Sequence, residues 1–143
     1  MRFHCLSIPH TVTSSECAAW SPSQRALDLC KTLSDAGHEV IHYGHEDSDL
    51  ECTTHVTVVT NEDFLVAYNS CEWRTVPFDC NVRDHVYHTY YKNAIAEIQY
   101  NKKKGDFIVP MWGALMDPVC ESHMDLLWVN PDSLVAGIIK GVI

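Results

Sequence analysis

The chain is most easily bounded by what it lacks. No apolar run approaches the roughly 20 residues that a membrane-spanning helix needs, and the amino end shows no charged, apolar, small-residue succession of a signal peptide. A cytoplasmic location is the expectation, with no membrane partner. Basic residues are scarce: ten Lys and Arg stand against nineteen Asp and Glu, a formal charge of −9, and the only basic run is Lys102–Lys104. Phosphate contacts dominate nucleic-acid affinity and require a basic patch, so nucleic acid is not an expected partner. Neither GxGxxG nor GxxxxGK[ST] occurs, which removes the dinucleotide fingerprint and the P-loop. There is no nucleophile-elbow sequence either, so Ser, His and Asp form no recognisable triad.

Cysteine, by contrast, is plentiful. Seven in 143 residues is an odd number, none forms a CxxC, and Cys5 and Cys30 fall on positions that read as buried. Most are therefore expected to be small core hydrophobes in a reducing compartment. The alternative is a metal site from Cys71, Cys80, His85 and His88, of which the two histidines are three residues apart and share a helix face. The cysteines lack a recognised zinc spacing, so no metal and no cofactor is assigned.

The most informative stretch is Ser21–Gly44, SPSQRALDLCKTLSDAGHEVIHYG. Pro22 behind Ser21 is a helix start and Gly37 a helix stop, while Ala26, Leu29, Cys30 and Leu33 recur at helical spacing and demand a sheet to lie on. Strands flank this helix, over Met1–Ile8 and Glu39–Tyr43. Strand, helix, strand is a βαβ unit with a right-handed crossover. Further on, His55–Thr60 is strand-like and Asn61 reads as the cap of a second helix. Ser70–Val82 reads as a long ordered loop, and a helix follows from about Asp84 to Lys102 with Tyr87, Tyr91, Ala94, Ile95 and Ile98 in one stripe. Strands at Asp106–Trp112 and Asp125–Val129 bracket a short helix opened by Asp117-Pro118. Residues 132–143 read as an apolar C-terminal tail. The expected fold is α/β: a single domain over 1–143 with a three-layer, Rossmann-like open parallel sheet and helices on both faces.

In such a sheet, ligands sit beyond the carboxyl ends of the strands. His10 and Thr11 follow the first strand, in a polar loop that runs to Trp20. Tyr43 and His45 close the second, with the acidic stretch Glu46-Asp47-Ser48-Asp49 after them. Trp112, Gly113 and Asp117 follow the fourth. Trp73, in the long loop, offers a flat surface for a base or sugar ring. These nine residues are the candidate ligand contacts. His10 is the one weak candidate for a catalytic group, a general base toward an acceptor hydroxyl, with Asp117 or Glu121 orienting the substrate.

RFHCLSIPHT, LSDAGHEVIHYG, NAIAEIQYNKKKGDFIVPMWG and ESHMDLLWVNP together resemble the N-terminal, acceptor-side Rossmann-like domain of two-domain (GT-B type) glycosyltransferases of bacteria and phages, over roughly residues 1–131. The resemblance implies a parallel sheet with His10, Trp112 and Gly113 facing an inter-domain cleft. Such enzymes hold the nucleotide-sugar donor mainly in a C-terminal domain, to which nothing in this sequence corresponds. Stabilising a glycosyl-transfer transition state requires both substrates together. The expectation is a stand-alone module that binds a nucleotide, nucleotide sugar or related phosphorylated ligand without catalysing transfer, in a phage a means of sequestering a host nucleotide signal. The alternative is the acceptor-side half of a truncated or split glycosyltransferase. A cleft face built against another domain also implies a homodimer or higher homo-oligomer, with the Tyr87–Tyr91 helix and the C-terminal tail as expected contacts.

Overall fold

The βαβ unit forms as its punctuation requires. In the computed structural model, which describes residues 1–9, 12–14, 21–67, 80–111 and 113–141, strand β1 (Arg2–Leu6) is followed by helix α1 (Ser21–Asp35) and strand β2 (Glu39–His45). Helix α1 stops in a left-handed turn at Gly37, with φ of 88°. The His38 amide donates to the Leu33 carbonyl at 3.1 Å and the Gly37 amide to that of Ser34 at 3.0 Å, a paired closure that satisfies two helix-end carbonyls. Glycine is required there because a side chain would strain that backbone.

Beyond β2 come β3 (Thr54–Val59), α2 (Asn61–Ala67), α3 (Cys80–Asn101), β4 (Phe107–Pro110), a 3-10 turn over Gly113–Met116, α4 (Asp117–Glu121), β5 (Leu127–Trp128) and α5 (Pro131–Ile139). The expected apolar tail is thus helical over most of its length, and its Leu134 lies in the core. The five strands are all parallel, in the order β3-β2-β1-β4-β5. This is the expected Rossmann-like open sheet.

Alternation along the strands sorts the core into two halves. Phe3, Cys5, Val40 and Val109 meet Leu29, Cys30 and Leu33 of α1 and Leu134 of α5. Leu6, Ile41, Tyr43, Val58 and Ile108 meet Val86, Tyr90, Ala94 and Ile98 of α3, Phe64 of α2, and Val119 and Cys120 of α4. Helices therefore cover both faces. The four residues expected on the buried face of α1 are all at or below 2% exposure.

Three details differ from the expectation. The cap of α2 is Thr60: its Oγ1 accepts the Asp63 amide at 3.2 Å, while the Asp63 carboxylate accepts the Thr60 amide at 2.8 Å. This reciprocal pair closes the helix start one residue earlier than read. Helix α3 begins at Cys80, inside the segment read as a loop; the rest of that loop, including Trp73 and Cys71, lies outside the described residues. Its inward face also carries Tyr90, whose hydroxyl donates to the Tyr43 carbonyl at 2.6 Å. Tyr87 is 5% exposed, while Tyr91 is half-buried and its hydroxyl donates to the Leu115 carbonyl at 2.6 Å.

Gly44 is fixed by close approach rather than by its dihedrals. A Cβ there would stand 2.5 Å from His42 Cε1 and 2.8 Å from Ser7 Oγ, and both neighbours are buried. Gly44→Ala should therefore destabilise the protein by about 1–3 kcal/mol, read as a lower midpoint in urea at unchanged slope. An unchanged midpoint would mean that the His42 ring can move aside.

Candidate functional site

The carboxyl ends of β4 and β5 open onto a cleft of about 560 Å³. Pro110 and Met111 bring β4 to its floor, and the Met111 amide donates to the Leu6 carbonyl at 3.0 Å, which ties that floor to β1. Gly113 and Asp117 form one wall. Trp128, Val129 and Asn130 leave β5 along another, and Arg25 of α1 and Asp132 of α5 close the third. The chain leaves β1 toward β2 on one side and returns to β4 on the other, so the order in which strands are added reverses between β1 and β4. The cleft starts at β4, beside that switch point, where open α/β sheets accommodate ligands.

A second hollow of about 290 Å³ adjoins the first and shares Arg25, Met111, Pro131 and Asp132 with it. The Arg25 guanidinium donates to the Asp132 carboxylate at 2.6 Å where the two meet. Both side chains are largely exposed, so this pair is cheap to open. Asp132 is held by the start of α5, where Asn130 Oδ1 accepts its amide at 2.8 Å as a helix cap. The charged residues lining the two hollows are Arg25, Asp28, Asp117 and Asp132. Neither lining contains histidine, cysteine, serine or lysine among the described residues, so it offers an indole face, an amide and an arginine for binding but no paired acid and base.

The sequence candidates divide. Gly113 and Asp117 line the cleft. His10, Thr11, Trp20, Trp73 and Trp112 lie outside the described residues. Tyr43, expected at the rim, is in the core at 0% exposure. Its ring points from the second strand back toward the first, where its hydroxyl donates to His4 Nδ1 at 2.8 Å. His4 Nε2 donates in turn to the Asp106 carboxylate at 2.7 Å, which also accepts from Arg2 and from the Lys103 amide. Burial pushes the Tyr43 phenol well above its ordinary range and holds His4 neutral, against the pull of Asp106. Burial alone would raise the Asp106 carboxyl, but the His4, Lys103 and Arg2 contacts outweigh it and keep it low. The tyrosine, histidine and carboxylate form a chain that ties β2, β1 and β4 together, and none of them lines the cleft.

His45 is likewise structural. It is 1% exposed, packs against Phe64 with ring centroids 4.5 Å apart, and accepts the Asp47 amide on Nδ1 at 3.0 Å. The acids beside it are engaged too: Glu46 accepts the Asn61 amide at 2.9 Å and Asp47 the Asn61 side-chain amide at 2.8 Å. Of the alternative metal set, His85 and His88 are exposed on α3, and no group of three ligating side chains able to hold a metal occurs among the described residues. Sequence reasoning missed Arg25, Trp128 and Asn130. The rule that pointed to Gly113 extends to Asn130, which follows the expected final strand, but not to Trp128, which lies within it.

Histidines dominate the buried polar groups. His55 Nε2 donates to the His45 carbonyl at 3.0 Å, so in a neutral ring its Nδ1 is the acceptor, and His42 Nδ1 donates to it at 3.0 Å. Burial, with His55 alongside, lowers the His42 pKa to about 3. Burial also lowers His4, His55 and His123. Each is neutral in the folded state at pH values where the unfolded chain, with ordinary values near 6.5, takes up a proton. Folding stability should therefore fall as pH drops below 6.5. The His42 share, up to about 1.4 kcal/mol per pH unit, continues to about pH 3. Urea midpoints measured from pH 7.5 to 5 should decline before the carboxylates titrate, and His42→Gln should flatten the decline; a constant midpoint would contradict the neutral assignment.

The chain matches no protein-family model and no curated protein. No helix among the described residues is long and apolar enough to cross a membrane.

Proposed function

We propose that this chain is a glycosyltransferase-like binding module that captures a nucleotide, nucleotide sugar or related small phosphorylated ligand in the cleft beyond β4 and β5, without transferring a sugar. The observation that carries this reading is the cleft itself, at the carboxyl end of a parallel sheet and beside its switch point. Its volume of about 560 Å³ suits a small molecule. In this reading Trp128 offers its indole to a base or sugar ring, Asn130 and Asp117 take hydroxyls, and Arg25 exchanges the Asp132 carboxylate for the ligand's phosphate. That exchange trades an exposed ion pair for a fork-shaped, charge-assisted contact.

Native mass spectrometry with a panel of nucleotides, nucleotide sugars and signalling nucleotides tests this directly. One ligand per chain, released unchanged on denaturation, is the expected result. Arg25→Ala should weaken that complex by ~10-fold or more, the worth of one charge-assisted contact. A ligand returned shorter by a sugar or a phosphate would instead identify an enzyme, and absence of binding across the panel would reject capture.

A further inference from the structure

The last strand has the sequence of an interior strand and the position of an edge strand. Leu126-Leu127-Trp128-Val129 is an unbroken apolar run, the pattern of a parallel strand covered on both faces and paired on both sides. Yet β5 has β4 as its only neighbour. Leu126 belongs to the core half under α3 and α4, and Val129 packs on the half under α1 and α5. Between them Leu127 and Trp128 point to opposite faces and stay 60% and 43% exposed, with Met124 nearby at 70%. The main chain is open as well. The amides of Leu127 and Val129 donate toward β4, to Asp106 and Ile108, so the alternation of a strand turns the N–H and C=O of Trp128 outward along the free edge. The strand is short, but no proline or charged side chain interrupts Leu126–Val129 along this edge. The opposite edge, β3, carries Thr54, His55 and Thr57 instead.

We propose that β5 is a subunit-joining strand: two copies of this chain pair β5 to β5, antiparallel across a two-fold axis, so that both sheets run on as one. Charge selects this occupant and this direction. Lys103 and Lys104, exposed, lie at the amino end of the β4–β5 side of the sheet, where Asp125 is already paired with Lys102 at 2.9 Å. Asp117 and Asp132 lie at the carboxyl end. An antiparallel pair sets the lysine end of each copy beside the aspartate end of the other, whereas a parallel pair would set like against like. The contact is isologous, so it closes at two subunits and cannot propagate into fibres. It also hides the apolar faces of Leu127 and Trp128 and satisfies the outward groups of Trp128 at once. Trp128, Asp117 and Asp132 belong to both the cleft and this interface, whereas Leu127, Lys103 and Lys104 are absent from the cleft lining, so substitutions at those three test the interface apart from ligand capture.

Sedimentation equilibrium over a dilution series, with hydrogen exchange of the β5 amides, tests the proposal. The unmodified chain should dimerise, and the Trp128 amide should become protected as the dimer fills. Leu127→Lys should raise the dimer dissociation constant ~10-fold or more and remove that protection, with circular dichroism unchanged. Should this variant fail to fold, the surface double variant Lys103→Glu/Lys104→Glu decides. It should weaken the dimer by a factor that shrinks in 1 M salt, where charges more than about 3 Å apart are screened. A chain monomeric at every concentration, or a dimer that neither variant moves, overturns the proposal.

Discussion

A parallel sheet has to be covered on both faces, and most of this molecule follows from that constraint. Strand β1 sits in the middle of the order, and Phe3, His4, Cys5 and Leu6 alternate between two layers with no face left to solvent. Phe3 and Cys5 require α1 and α5 above them, and Leu6 requires α3 and α4 below. Because every connection must cross a face, every strand points the same way and every strand end arrives at one rim. The cleft is the gap left where the covering helices begin.

The same constraint explains why polar residues inside the strands are bound to each other rather than to a ligand. A histidine or tyrosine in a doubly covered strand has no water, so it must find a protein partner. His4 finds Tyr43 and Asp106, and His42 finds His55. Ser7 Oγ and the Tyr90 hydroxyl both donate to the Tyr43 carbonyl, which binds β1, β2 and α3 at one atom. Such networks look like catalytic chains when read as lists of residues. Their position in the covered interior marks them as structural.

This separates what was legible in the sequence from what was not. Helix α1 was legible because Gly37 and the Ala26–Leu33 stripe depend only on near neighbours along the chain. The parallel sheet was legible because strands alternate with helices. Tyr43 was misplaced for the opposite reason: a residue near a strand's carboxyl end reads as a rim residue, and only the tertiary contact with His4 turns its ring inward. Tyr90 escaped the α3 stripe because Tyr87 and Tyr91 already give a regular pattern, and only its contact with the Tyr43 carbonyl shows that it is buried as well. Arg25 sits on the polar side of α1, where sequence alone assigns solvent; its role at the cleft arises from α5 folding back beside it. Gly113 and Asp117 could be placed beside the cleft because position after a strand is itself a sequence property.

The meeting of Cys5 and Cys30 has a use as an internal clock. Cys5 belongs to β1 and Cys30 to α1, both are fully buried, and the Cys30 thiol is pushed far up by its hydrogen bond with Cys5 and by burial. Both sulfurs are sealed from solvent, so no reagent reaches either while the helix lies on the sheet. Alkylation of these two residues therefore counts the moments at which α1 lifts away.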